Sequence, residues 1–122
     1  MTLAVAIGVA AGLGAAFRYL LDRTIQHLHD TAFPWGTLVI NLTGSFVLGL
    51  TTGLATHHGL SNHVAEVVGI GLCGGFTTWS TYCWESVALA ESPAFGRAAA
   101  YVAGSVALGL GAAAAGLGLA LL

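Results

Sequence analysis

Long stretches without any charged side chain dominate this sequence. Uncharged runs cover residues 2–17, 31–65, 67–84 and 98–122. A soluble fold of this length buries only part of its chain, so it cannot hide so much continuous apolar sequence. Only 7% of the residues carry a formal charge, whereas soluble domains average about 25%. The sequence therefore predicts an integral membrane protein, and it excludes a soluble enzyme, a nucleic-acid-binding domain and a disordered chain.

Four segments are long and apolar enough to cross a bilayer as helices, which takes about 20 residues each. We expect these spans at residues 3–21, 35–56, 65–90 and 94–121, within one transmembrane domain that covers residues 1–122. A signal peptide is the alternative for the first segment, but its start has no basic residue and its arginines lie at the far end. The predicted fold class is an all-α membrane protein with four transmembrane helices, and the longest linker covers residues 22–34.

Four helices of this size cannot readily enclose an aqueous pathway by themselves, so we expect an oligomer, with a dimer as its simplest form. Small residues spaced four apart let helix backbones approach closely in lipid. Three such pairs are Gly8/Gly12, Gly49/Gly53 and Gly71/Gly75. The three arginines fall on the side opposite the predicted termini, which favours external termini by the positive-inside rule. This bias is small, so insertion in both orientations stays open.

Three of the predicted spans carry polar side chains at helical spacing, which places them on one face of each helix. They are Thr37, Asn41 and Ser45 on the second span, Thr78, Thr81, Tyr82 and Glu85 on the third, and Tyr101 and Ser105 on the fourth. Hydrogen bonds between helices explain a single serine or threonine in a membrane. The amide of Asn41 is harder to satisfy in this way, because it has two donors and an acceptor. Together the stripes favour a hydrophilic pathway.

The middle of the third span predicts an interruption of the helix. The pair Gly74-Gly75 is followed closely by Thr77-Thr78, and both residue types are weak helix formers. Non-helical backbone at this depth is tolerated where it is buried in protein or lines a cavity. An interruption also frees carbonyl oxygens, which are hard ligands suited to a small cation.

Three motifs in this chain resemble the signatures of the Fluc (CrcB) fluoride channels. They are GLGAAFRY at residues 12–19, GTLVINLTGSF at residues 36–46 and GGFTTWSTY at residues 74–82. The resemblance extends over all four spans in order. It implies an antiparallel, dual-topology dimer in the inner (plasma) membrane, with two fluoride pores and one central sodium ion at the dimer interface.

The resemblance also implies roles for individual residues. The sodium ion would be held by the backbone carbonyls of Gly74 and Thr77 from both subunits. The fluoride path would be lined by Asn41, Trp79, Ser80, Thr81, Tyr82, Tyr101 and Ser105, with Arg18, Glu85 and Gly75 in supporting roles. The family usually has phenylalanine at the two positions that Trp79 and Tyr82 occupy here. Tryptophan and tyrosine keep the electropositive ring edge and add N–H and O–H donors, although an indole is larger.

Neutral donors suit fluoride, because a selective path must replace its water without binding the ion too tightly to leave. We therefore expect passive export of fluoride, driven by a negative-inside membrane potential, by a protein that is not an enzyme. The expected partners are fluoride, sodium, membrane lipid and a second copy of the chain, and nucleic acid is not among them.

Two other functions remain as alternatives. A small proton-coupled multidrug transporter also has four spans, but proton coupling calls for a carboxylate near the middle of a span, and Glu85 lies off-centre. A non-conducting subunit of a heterodimeric fluoride channel is the second alternative. The arginines on one side and the replacement of both phenylalanines favour it.

Overall fold

A computed structural model describes residues 1–29, 31–93 and 95–122. Ala94, the predicted first residue of the fourth span, and Asp30 of the predicted linker lie outside the described residues. Every described element is helical. In chain order these are α1 (Thr2–Leu28), α2 (Trp35–His57), α3 (Asn62–Glu66), a π-helical segment (Val67–Cys73), α4 (Gly74–Phe76), α5 (Ser80–Glu91) and α6 (Phe95–Leu119).

Three of the described helices, α1, α2 and α6, are long and apolar enough to cross a membrane. Large apolar side chains on these helices lie on the outside of the chain, as Leu13, Leu48 and Leu110 show with exposed fractions of 53%, 46% and 69%. Such side chains are stable on a surface that lipid covers. The expectation of an all-helical membrane protein is thereby confirmed at the level of fold class.

Helix α1 continues seven residues beyond the end of the predicted first span at Leu21, as far as Leu28. The prediction of a linker over residues 22–34 was therefore wrong for residues 22–28, which belong to α1. The charged residues Asp22 and Arg23 end an apolar run, but they do not end a helix, because charged side chains are compatible with helical backbone outside lipid. The Arg23 guanidinium donates a hydrogen bond to the hydroxyl of Tyr19, one turn earlier, at 3.1 Å.

The region between α2 and α6 is helical in several pieces, and it leaves helical geometry at Thr77. This residue has φ −78° and ψ 164°, which is extended backbone, and α5 begins three residues later at Ser80. The seven residues Val67–Cys73 form a π-helix, which no sequence pattern had indicated. Mid-helix π turns are rare and are frequently found at functional sites.

Two helix pairs pack with their backbones in close approach. On Gly75 a Cβ atom would collide with the carbonyl of Ala11 on α1, and on Gly14 it would collide with the carbonyl of Leu72. On Gly49 it would collide with the carbonyl of Ala113, so α2 lies directly against α6. These contacts hold α4 and the π-helical segment against α1 and fix the position of the interruption. For Gly8 and Gly12, the pair predicted on α1, no described atom of another element lies within 4 Å of the Cβ position.

Candidate ion pathway at the interrupted helix

The side chain of Asn41 is bonded to the backbone of Thr78, where the helix is interrupted. Its Nδ2 donates to the carbonyl of Thr78 at 3.0 Å, and its Oδ1 accepts from the N–H of Thr78 at 2.9 Å. Because backbone groups in a membrane interior need a partner, this pair of bonds replaces the helical bonds lost at the interruption. The carboxamide has one further Nδ2 hydrogen that this pair does not use.

The hydroxyl of Thr78 organises the first turn of α5. Its Oγ1 lies 3.0 Å from Oγ1 of Thr81 and accepts a hydrogen bond from the N–H of Thr81 at 3.3 Å. An oxygen acceptor three residues ahead of a helical N–H is the usual arrangement of an N-terminal cap. Thr78 therefore joins α2, through Asn41, to the start of α5, although it was not among the predicted site residues.

A cavity of about 340 Å³ opens beside this junction. Its polar lining includes Asn41, Ser45 and Thr78, and Trp79 forms part of its wall. All the described residues that line it are uncharged. The cavity therefore offers neutral hydrogen-bond donors next to the interruption, which is the chemistry predicted for a fluoride path.

A second polar cluster is centred on Glu85. The hydroxyl of Thr37 donates to its Oε1 at 3.0 Å, and the hydroxyl of Tyr101 donates to its Oε2 at 2.8 Å. Tyr101 is fully buried and Thr37 is 2% exposed. The half-buried carboxylate is thus held between α2 and α6 by two hydroxyl donors, the kind of pairing that an acidic group within a membrane protein requires. Thr37 was predicted on the polar stripe of the second span but was not named as a site residue.

Aromatic rings connect the two polar regions. The ring centroids of Trp79 and Tyr82 are 5.3 Å apart, and those of Tyr82 and Tyr101 are 5.4 Å apart. The two residues in the usual phenylalanine positions have different environments, because Trp79 is 75% exposed and Tyr82 only 8%. The hydroxyl of Tyr82 donates to the carbonyl of Val102 at 3.4 Å. The Tyr82 ring therefore faces inward, while the indole of Trp79 faces outward.

Two of the remaining predicted pore residues, Ser80 and Ser105, do not line the cavity beside Asn41, whereas Thr81 contacts Thr78 at the junction. Ser80 and Thr81 are exposed on α5. The Ser105 hydroxyl is buried on α6, without a hydrogen-bond partner among the described residues. It is therefore a donor that the fold leaves unused.

The carbonyls predicted to hold sodium lie at the interruption. In a continuous α-helix the N–H of Thr78 would donate to the carbonyl of Gly74, four residues earlier. Here this N–H donates to the side chain of Asn41 instead. The carbonyl of Thr77 accepts a hydrogen bond from the guanidinium of Arg18 at 3.3 Å. Among the described residues no group of three histidine, cysteine or acidic side chains could hold a metal. Backbone carbonyl oxygens are hard ligands that suit a small cation, and Arg18 brings a positive charge to one of the two oxygens.

Arg18 and Gly75 have structural contacts at this point. The Arg18 bond ties α1 to the residue where the backbone becomes extended. Gly75 allows the same helix to touch α4. The contact of Arg18 with Thr77 joins residues 59 positions apart, so no local sequence pattern could have indicated it.

The fold and this site define a helical membrane protein with an uncharged polar cavity at a helix interruption. Residues 5–117 match the family model described as CrcB-like protein, Camphor Resistance (CrcB). The chain belongs to this family, as its motifs predicted.

Curated relatives carry matching names. A protein of Streptomyces avermitilis named fluoride-specific ion channel FluC 1 is 50% identical over 107 residues, which are 88% of this chain and 86% of the relative. A protein of Frankia casuarinae with the same name is 49% identical over 90% of this chain and 89% of its own length. The fluoride-specific ion channel FluC of Thermus thermophilus is 41% identical over 85% of this chain and 83% of its own length. These relatives are named as ion channels, which agrees with the prediction that the chain is not an enzyme.

Proposed function

We propose that this protein is a fluoride channel through which fluoride leaves the cell passively across the inner membrane. The observation that carries the proposal is the uncharged cavity beside the Asn41–Thr78 junction, in a chain about half identical to channels named as fluoride-specific. Fluoride is a strong hydrogen-bond acceptor, and neutral donors can replace its water without trapping it. A negative-inside potential contributes about 2.3 kcal/mol per charge per 100 mV to its exit.

In this proposal each donor has a defined task. The second Nδ2 hydrogen of Asn41 meets the ion, while the Thr78 bonds keep the carboxamide in one orientation. The electropositive ring edges of Trp79 and Tyr82 face the ion as it passes these two side chains. Ser80, Thr81 and Ser105 add hydroxyl donors along the path, and Tyr101 lies at the Glu85 end.

Two copies of the chain are proposed to form an antiparallel dimer with two pores. In each copy residues 62–76 and 80–91 would be the two halves of a broken third span, which would make four spans in all. The open cavity and the exposed side chains of Ile70 and Trp79 support this assembly, because they leave a surface that a second copy would close.

We further propose a structural sodium ion at the dimer interface. The carbonyls of Gly74 and Thr77 from each copy would hold it, and the ion would supply a fixed positive charge close to the path. Arg18 would position the Thr77 carbonyl through its hydrogen bond.

Fluoride efflux from liposomes that contain only this chain tests the proposed function. We expect rapid fluoride release once a permeant cation path is opened, and negligible chloride release under the same conditions. Equal release of both anions, or none above protein-free liposomes, would refute selective conduction. Purification of the chain as a dimer is the matching biochemical control.

One alternative is favoured by a specific observation. The bulky, exposed indole of Trp79 at the cavity wall supports a non-conducting subunit in a heterodimer. That role predicts no fluoride flux from the chain alone and recovery of flux when a second family member is added. The proton-coupled transporter is less favoured, because both oxygens of Glu85 accept hydrogen bonds from neighbouring side chains.

A further inference from the structure

A second cavity of about 400 Å³ adjoins the cavity beside Asn41. The two cavities share the lining residues Leu48 and Gly69, so they lie next to each other. The far end of the second cavity is lined by Asn62, the first residue of α3, close to the short loop that follows α2. The second cavity therefore extends from the polar junction towards one end of the helices.

Glu66 is distinguished among the residues that line these two cavities. It is half-buried at the end of α3, and it is the single formally charged group among the described lining residues. Its neighbours in the second cavity are apolar or neutral, among them Leu48, Ala65 and Ile70. No described cation on that lining offsets its charge, so an anion approaching the Asn41 cavity from this end meets a net negative potential.

We propose that Glu66 is an entrance residue that lowers the concentration of anions at this mouth of the path and thereby limits fluoride flux. This inference rests on the proposed channel function. In this role Glu66 controls how fast anions arrive at the path. It takes no part in selectivity, because the groups proposed to replace the water of the ion are neutral donors on other residues, such as Asn41. Its effect depends on salt, since the Debye length is about 30 Å at 0.01 M and about 3 Å at 1 M ionic strength.

This role is tested by placing either a negative or a positive charge at position 66 of the same variant. In a Glu66→Cys variant the thiol is labelled with methanethiosulfonate reagents of similar size, one bearing a sulfonate and the other a trimethylammonium group. At about 0.01 M ionic strength we expect the trimethylammonium form to pass fluoride about two- to tenfold faster than the sulfonate form. This ratio should approach one when an impermeant salt raises the ionic strength to about 1 M.

A Glu91→Cys variant is the matched control, because Glu91 is an exposed carboxylate that lines neither cavity. Labels of either sign there should change flux much less than the same labels at Glu66. The wild-type chain treated with both reagents is a further control, because it shows any effect of labelling the two native cysteines, Cys73 and Cys83. Glu66→Gln and Glu66→Lys give an independent pair, with faster flux expected for both and the larger gain for lysine.

The outcomes separate the two proposals. If the wild-type chain passes no fluoride, the channel function fails and the role of Glu66 fails with it. If the wild-type chain conducts, but flux is the same with labels of opposite sign and in Glu66→Gln, only the role of Glu66 is overturned. A charge effect of equal size at both ionic strengths would also overturn it, because an electrostatic effect at the mouth must be screened by salt.

Discussion

The carboxamide of Asn41 on α2 makes two hydrogen bonds with the backbone of Thr78, donating to its carbonyl at 3.0 Å and accepting from its N–H at 2.9 Å. The two residues are 37 positions apart, and the bonds cross from a continuous helix to an interrupted one. One side chain thus satisfies the backbone at the interruption and remains on the wall of the polar cavity. A change at Asn41 should therefore affect both stability and conduction.

Asn41→Asp tests the contribution of this residue to conduction. The aspartate can still accept from the N–H of Thr78, but it cannot donate to the Thr78 carbonyl, and it places a negative charge beside the proposed path. We expect fluoride flux to fall at least tenfold, because a carboxylate repels an anion in a setting of low dielectric. Flux is measured in liposomes at equal protein content.

Asn41→Ala is the companion variant. It leaves two backbone groups without partners, and we expect a loss of about 2–5 kcal/mol in the free energy of unfolding. Thr43→Ala on the same helix is the control, since its exposed hydroxyl bonds only within the helix. If the flux of Asn41→Asp equals that of the wild type, Asn41 does not line the pathway.

Gly75→Ala should weaken the packing of α1 on α4. Its new methyl group would collide with the backbone carbonyl of Ala11, which cannot move without shifting a whole helix. We expect a loss of about 1–3 kcal/mol in the free energy of unfolding. Gly12→Ala is a matched control, because no described atom of another element lies within 4 Å of the added carbon and alanine favours helix. Equal stability of the two variants in detergent unfolding would contradict the close approach.

Trp79→Phe restores the residue that is usual in the family. If the indole only narrows the path, fluoride flux should be preserved or should rise. Trp84→Phe is the control, because Trp84 lies on α5, is 72% exposed and does not line the cavity beside Asn41. A large loss of flux in Trp79→Phe alone would show that the indole N–H is required.

Glu85→Gln distinguishes a passive channel from a proton-coupled transporter. We expect fluoride flux within about threefold of wild type, because the carboxylate has no role in moving protons in the proposed mechanism. Abolition of transport would instead favour proton coupling.

A double-mutant cycle between Glu85→Gln and Tyr101→Phe measures the contact itself. We expect a coupling energy of about 0.5–3 kcal/mol in unfolding experiments, as for residues that share a hydrogen bond. Additive effects of the two substitutions would contradict the 2.8 Å bond.

The sequence predicted the class of fold and the family because both depend on local features. Apolar runs of bilayer length reveal membrane helices, and the motif around Gly74 lies in one continuous segment. The extension of α1 to Leu28 was missed, since the charge of Asp22 marks the limit of apolar sequence rather than the end of a helix. The π-helical segment was missed as well, because side-chain propensity does not distinguish it from an α-helix.

Contacts between distant residues were the part that the sequence could not supply. The polar stripe on the second span placed Thr37 and Asn41 on one face, but only the packing of helices shows that one contacts Glu85 and the other Thr78. The bond from Arg18 to the Thr77 carbonyl belongs to the same group. The occupant of the predicted sodium site and the dimer stay predictions.

Voltage-clamp recordings of this chain alone in a planar bilayer test the central claim most directly. With unequal fluoride concentrations, equal chloride and no proton gradient, we predict a current that reverses close to the fluoride equilibrium potential. Imposing a proton gradient should leave the reversal potential unchanged. Reversal at the chloride equilibrium potential, a shift with the proton gradient, or no current from the purified dimer would contradict passive, fluoride-selective conduction.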